Sequence, residues 1–391
     1  MPNNDENRVL REYGKRKKRY KRRRNIIILT FLLLLVVVGG VYLFNLYNRN
    51  YKNFKVIKST EMKGQNAVGY LSYGSTIIKY GKDGVQGYDK DGNCLWNSAY
   101  EMTDPVIDIC GKYIVIADKG NKAIHIYDGK TEVGNFSTDY EIERVEVASQ
   151  GVVAALMTQG DTSHIILYDK EGNIIAEKTK TLSETGLPLD IALSEDGTKL
   201  AVNCMVISKG ELVSEIGFYN FGEVGKNYVN NFVGGFSFKP GILTPKVEFL
   251  NNDTACVFKD NGFVIYSVKE LPKDVHEENL KGKIQSVFCN KNYTGMVLQS
   301  EDGLKKHLLL YDLEGKKVLD KIPDFEYKKI YMTEDEIILY SDTTCMVMKP
   351  DGKVKFKGTF DSNILAFYPI NKFDRYFLAN EAKLLDIQLS E

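Results

Sequence analysis

One short phrase returns along this chain at a regular distance. "YDKDGN" at Tyr88 comes back as "YDKEGN" at Tyr168 and "YDLEGK" at Tyr311. Looser copies centre on Tyr127, Tyr219, Tyr266, Met348 and about residue 385, so successive copies lie 37 to 51 residues apart. The mean of about 42 is the length of one four-stranded propeller blade. Before each copy runs an apolar segment, such as "YIVIAD" at Tyr113, "GVVAALM" at Gly151 or "EIILYS" at Glu336. Continuous Val/Ile/Leu runs of that length suit strands covered on both faces. No amphipathic helical pattern of useful length follows residue 50, which excludes helical solenoids.

The expected fold is therefore all-β, an eight-bladed β-propeller, with a seven-bladed ring as the alternative if the weak junctions at 348 and 385 do not count. The last unit ends at Glu391 directly after its third strand. "YKNFKVIKS", Tyr51 to Ser59, precedes the first complete unit and is free to supply the missing outer strand. Such a closure joins the two ends of the chain and leaves no long open edge.

The acids of "YDKDGN" raise the question of calcium. An EF-hand loop needs further carboxylates at fixed offsets and a closing bidentate Glu, which the copies lack. A hairpin turn needs a residue that caps the turn and a Gly in the left-handed region, which the copies have. The phrase reads as a turn.

Charge is divided unevenly. Residues 1–24 hold eleven Lys/Arg against three acids, residues 25–47 hold no charge, and residues 48–391 hold 41 bases against 49 acids. The run Ile26 to Phe44 is 19 uncharged residues, long enough at about 1.5 Å per residue for a hydrocarbon layer of about 30 Å. It ends in Val41-Tyr42-Leu43-Phe44, without the small-x-small site of a cleaved signal peptide. The expected organisation is a basic cytoplasmic tail (1–24), a single-pass signal-anchor helix (25–47) and an extracellular propeller (48–391) on a short tether to the cell membrane. The excess of bases before the span orients it this way. Arg22, Arg23 and Arg24 abut the span and are expected among anionic headgroups, so the lipid bilayer and not nucleic acid is their partner. Gly39-Gly40 lacks the four-residue spacing of a helix-dimer motif, so no oligomer follows from it.

"YDKDGNCLWNSAY", Tyr88 to Tyr100, resembles the repeat of pyrroloquinoline-quinone-type propellers, in which an aspartate, a turn glycine and a tryptophan recur and the tryptophan docks onto the next sheet. Trp96 is the only tryptophan, so that part of the likeness covers one unit in eight. The metal-binding carboxylates of the quinone enzymes cannot be placed here, so the resemblance implies the quinoprotein-like or WD40-like fold and no cofactor. The layout of basic tail, one span and degenerate propeller resembles single-pass propeller proteins of Gram-positive bacteria that carry a domain-of-unknown-function label.

Catalytic signals are sparse. The four histidines are scattered: His164 and His307 each stand four residues before a repeat tyrosine, His125 two before one, and His276 in the polar "ELPKDVHEEN", read as a loop. No HExxH, GxSxG or phosphate-binding glycine loop occurs. The six cysteines stand singly with no zinc spacing and read as buried free thiols. No catalytic, cofactor or metal residue is assigned.

The fourth unit is stretched, with "NCMVISKGELVSEIGF" and then "NFGEVGKNYVNNFVGGFSFKPGILTP". Insertions in repeat folds map to loops, often on a binding face. Tyr228, Phe232, Phe236 and Phe238 are the candidate partner-binding residues, with packing within a longer strand pair as the other reading. The functional expectation is a non-catalytic protein-binding or scaffold module of the cell envelope, with an envelope protein as partner. The alternative is an extracellular lyase, glycosidase or quinone-type enzyme. Three or more polar or charged side chains converging on the channel mouth would sink the scaffold reading, and a channel lined by small and apolar groups would sink the enzyme reading.

Overall fold

A computed structural model describes residues 4–62 and 67–391; Met1–Asn3 and residues 63–66, which fall within the expected tail and propeller regions, lie outside the described residues. Two compact units are present, residues 1–50 and 51–391.

The first unit is a helix, Asn4–Tyr47, that joins the basic stretch to the apolar run without a break. The basic tail is thus helical, because Arg and Lys are good helix formers and no Pro or Gly pair interrupts residues 15–38. Its segment Lys15–Tyr47 is long and apolar enough to cross a membrane, a property that a signal sequence near the N terminus shares.

The second unit is an eight-bladed propeller: eight four-stranded antiparallel sheets, the first seven each a simple meander. The blades cover residues 67–99, 105–137, 141–181, 187–237, 246–279, 283–321, 329–359 and 366–390. The junctions at 348 and 385 are genuine third strands, Thr344–Met348 and Lys383–Ser390, which settles the count at eight. The eighth blade is completed from the other end of the chain: Asn53–Glu61 pairs antiparallel with Lys383–Ser390, from Asn53 opposite Ser390 to Glu61 opposite Lys383.

The repeated phrase does two jobs. In the first seven blades the register between third and outermost strands shifts at the anchor residue, at Tyr88, Tyr127, Tyr168, Tyr219, Tyr266, Tyr311 and Met348. Such a bulge bends and twists the outer strand. Asp89 Oδ1 accepts the backbone N–H groups of Asp91 and Asn93 at 2.9 and 2.8 Å, and Gly92 takes φ 74°. Asp169 and Asp312 repeat this turn with Gly172 and Gly315. The anchor tyrosine then receives an aromatic ring from the preceding blade. Trp96 stacks on Tyr127 at 5.5 Å, Phe136 meets Tyr168 at 5.2 Å and Phe236 stacks on Tyr266 at 4.7 Å. The tryptophan docking implied by the quinone-type resemblance is present, with phenylalanine doing the same in other blades.

In a meander the first and third turns of a blade lie at one end and the second turn at the other. The Asp-Gly turns and the turns that follow the innermost strands therefore share one face of the disc. Asn53, where the closing strand begins, lies beside Ser390 on this same face.

Candidate functional site

The channel is lined by the innermost strands, and its wall is of two kinds. Over the second to fifth blades it is charged. Asp108 stands on Pro105–Cys110, Arg144 and Glu146 on Glu141–Val147, Asp190 on Leu187–Leu193, and Lys246 and Glu248 on Lys246–Asn251. Arg144 lies 2.5 Å from Asp190 of the next blade and 3.3 Å from Glu146, and Lys246 lies 2.6 Å from Glu248. Two carboxylates also bind backbone across a blade boundary: Val147 N–H donates to Asp108 and Val247 N–H to Asp190, each at 2.8 Å.

Four acids share two bases here, and the surplus shows in their acidity. Burial pushes the Asp190 carboxyl up to about 6 although Arg144 opposes the shift. Burial also raises Asp108, against the hydrogen bond from Val147. Glu146 is raised well above the ordinary range, first by burial and then by the charges of Asp108 and Glu248. The side chains of Glu146 and Glu248 remain 19% and 26% exposed, while Asp190 is fully covered. Charged side chains thus converge on the channel, the arrangement set above as counting against the scaffold reading.

Over the seventh, eighth and first blades the wall is aromatic. Tyr331 on Lys329–Met332 donates its hydroxyl to the Phe367 carbonyl of the next blade, and Tyr368 on Ala366–Pro369 donates to the Tyr70 carbonyl at 2.9 Å. Their rings lie 5.0 Å apart. Burial keeps both phenols protonated, with Tyr368 pushed up to about 12.

At the mouth of this half, on the face of the Asp-Gly turns, opens a cavity of about 510 Å³. Its walls come from the innermost strands and following turns of three blades: Leu71 and Ser72; Tyr331 to Glu336; Tyr368 to Lys372. The volume lies in the range of small-ligand sites. Charged groups edge it. Glu334 contacts Lys291 at 2.9 Å and Lys372 at 3.1 Å, and Asp335 contacts Lys372 at 3.2 Å. The two lysines hold the Glu334 carboxyl below its usual range. Glu336 is almost covered: it pairs with Lys355 and accepts the Tyr376 hydroxyl at 2.8 and 2.9 Å.

The four aromatics of the stretched blade separate. Phe236 stacks on Tyr266, and Phe236 and Phe238 pack against the core between the fourth and fifth blades. Phe232 is half exposed, with its ring 5.4 Å from that of Tyr219, and Tyr228 is half exposed beside a fully open Val229. The two stretched segments also part company. The long hairpin Lys199–Ser208 and Glu211–Asn220 turns on one face, whereas residues 221–231 lie on the face that carries the cavity. The hairpin turn is a second turn of its blade and the insertion a third, so they project in opposite directions. Arg22, Arg23 and Arg24 lie exposed on the N-terminal helix.

Every histidine meets a carboxylate on an outermost strand: His125 with Glu132 at 2.5 Å, His164 with Glu177 at 3.4 Å, His276 with Glu278 at 3.1 Å and His307 with Asp320 at 2.8 Å. His276 belongs to the strand Lys273–Asn279 and not to a loop; that strand shows one face to water, so its sequence is polar enough to pass for one. All six cysteines are free thiols; Cys204, Cys256 and Cys345 are buried and Cys94 is exposed. Among the described residues no group of three or more His, Cys, Asp or Glu has the arrangement of a metal site.

Sequence reasoning overlooked the channel acids and the cavity. The acids had a faint signal: "PVIDIC", "ERVEV", "PLDIAL" and "KVEFLN" place a carboxylate between apolar residues of the innermost strand in four successive units.

The fold has many counterparts among solved structures. BamB from Moraxella catarrhalis superposes with a TM-score of 0.54 at 11% identity, over 86% of this chain and 100% of the other. Sqt1 from Chaetomium thermophilum, solved bound to the N-terminus of the ribosomal protein L10, superposes with a TM-score of 0.53 at 11% identity, over 83% of this chain and 100% of the other. At such identities the likeness concerns the fold alone. No curated protein matches the chain. One sequence family does, over residues 47–389, and on that match the chain belongs to the family of unknown function DUF5711.

Proposed function

We propose that this protein is a membrane-anchored scaffold of the cell envelope. Its N terminus is cytoplasmic, its propeller is extracellular, and it binds a protein partner without catalysing a reaction. The observation that carries the reading is the cavity between the seventh, eighth and first blades. It is concave, largely apolar, built on rigid strands and open on the face that also carries Tyr228 and Phe232, the features of a pocket that seats an anchor side chain. The Sqt1 complex supports it as a precedent of fold: a propeller of this general shape takes a terminal segment of another protein.

A second reading, a channel enzyme, is favoured by the raised carboxyls of Glu146 and Asp190 and by the number of charges that converge there. A carboxyl raised like that of Glu146, close to other acids, is an arrangement that general acid–base chemistry uses. Against it stands the engagement of these groups. Arg144 and Lys246 are each paired, and Asp108 and Asp190 hold the backbone of the next blade. We weigh that engagement above the count of charges.

A photocrosslinking residue at Asn371, on the cavity rim, tests the reading in intact cells. A discrete crosslinked protein is expected; only self-crosslinks or none would remove it. A C-terminal reporter active only in the cytoplasm would refute the orientation.

A further inference from the structure

We infer that the cavity between the seventh, eighth and first blades receives a basic side chain, Lys or Arg, carried on an extended segment of the partner. This rests on the reading that the cavity face binds a protein. The walls suit the carbon stem of such a residue. Leu71, Met332 and Ile370 line the cavity, and the Tyr331 and Tyr368 hydroxyls are already given to backbone carbonyls, which leaves their rings as contact surface. Long basic side chains lay an apolar stem on such a surface and keep the charged head on polar groups. A ring beside the head adds a cation–π contact.

Carboxylates supply the other half of the match. Glu334, Asp335 and Glu336 line the cavity against one base, Lys372. Lys372 is divided between Glu334 and Asp335, Lys291 reaches Glu334 from outside the lining, and Glu336 is nearly covered by Lys355 and the Tyr376 hydroxyl. A carboxylate offers about four acceptor positions, so Glu334 and Asp335, at the rim, keep capacity for a further donor. A purely apolar occupant would strip water from them without replacing its hydrogen bonds, which is costly. An acidic occupant would compete with Glu334 and Asp335 for Lys372, the one base among the lining residues. The wider field agrees in sign: residues 48–391 hold 49 acids against 41 bases, and the channel wall holds four acids against two. A field of that sign draws a basic segment toward the disc.

The test uses the full chain in its own membrane, with a photocrosslinking residue at Ile370 and mass spectrometry to map the partner residue captured. The expected capture site is at or next to a Lys or Arg. The double variant Glu334→Gln with Asp335→Asn, both on an exposed turn, should lower the yield roughly tenfold while the protein level stays unchanged, because one side of an interfacial charge pair is lost. If a protein is captured at an apolar or acidic segment and the double variant changes nothing, the inference is overturned and the scaffold reading stands. If no protein is captured at Ile370 or Asn371, the scaffold reading falls with it.

Discussion

The two halves of the channel wall solve one problem with opposite chemistry. Neighbouring blades must be tied together where their innermost strands meet. Around the second to fifth blades, carboxylates reach forward and accept backbone N–H groups, as Asp108 does from Val147 and Asp190 from Val247. Around the seventh, eighth and first blades, phenols reach forward and donate to backbone carbonyls, as Tyr331 does to Phe367 and Tyr368 to Tyr70. The first solution brings charge into a buried wall and needs Arg144 and Lys246 to balance it. The second is neutral at any ordinary pH. A titrating wall is an uncertain platform for a partner, whereas a neutral aromatic wall is a steady one, and the cavity opens at the aromatic half.

The comparison can be broken at several points, the largest effect first. Lys355→Met, behind the aromatic half, leaves Glu336 buried without its cation. A loss of about 3–5 kcal/mol in urea unfolding is expected, and a loss below about 1 kcal/mol would show that Glu336 is not held as a charge.

The next test is pH. Asp190 has its carboxyl raised from the ordinary value to about 6, so the folded state holds that proton more tightly than the unfolded chain. Its contribution to stability is complete below the unfolded value near pH 4 and is lost as pH rises through 6. Two units correspond to about 3 kcal/mol. Asp190→Asn should flatten this slope, and an unchanged slope would place the titration elsewhere. Asp190→Ala also removes the acceptor of Val247 N–H and should cost about 1–3 kcal/mol on top, at every pH.

In the aromatic half Tyr368→Phe should cost about 1 kcal/mol through the lost bond to the Tyr70 carbonyl, with no dependence on pH between 4 and 8. A pH-dependent loss would erase the distinction between the halves. Smallest in stability is Tyr228→Ala, within about 0.5 kcal/mol because the ring is half exposed. A fall in partner crosslinking with this variant would extend the binding face to the fourth blade, and an unchanged yield would confine it to the cavity.

Much of the fold was legible because each blade repeats the same local requirement. The Asp-Gly turn, the tyrosine at the bulge and the buried second strand recur, and the leftover segment after the span matched the strand missing at the C terminus. The site was less legible because it is made by non-local neighbours. Leu71 and Tyr368 line one cavity although 297 residues separate them, a closure that only the completed ring brings about. An acid such as Asp190 in "PLDIAL" looks no different in sequence from an exposed one; its meaning comes from Arg144 and Val247 on other blades. Phe236 and Phe238 were singled out by the length of their insertion. Aligned on the bulge at Tyr219 instead, Phe236 opposite Ile216 takes the place of Phe136 opposite Ile124, a ring that docks onto the next blade.

The claim that the aromatic half binds while the charged half holds the ring together has one direct test. Partner crosslinking at Asn371 should be compared in Ile370→Trp, which fills the cavity, and in Glu146→Gln with Glu248→Gln, which neutralises the channel. The account predicts background yield in the first and normal yield in the second. Normal yield with the filled cavity, or loss of the partner with the neutral channel, would contradict it.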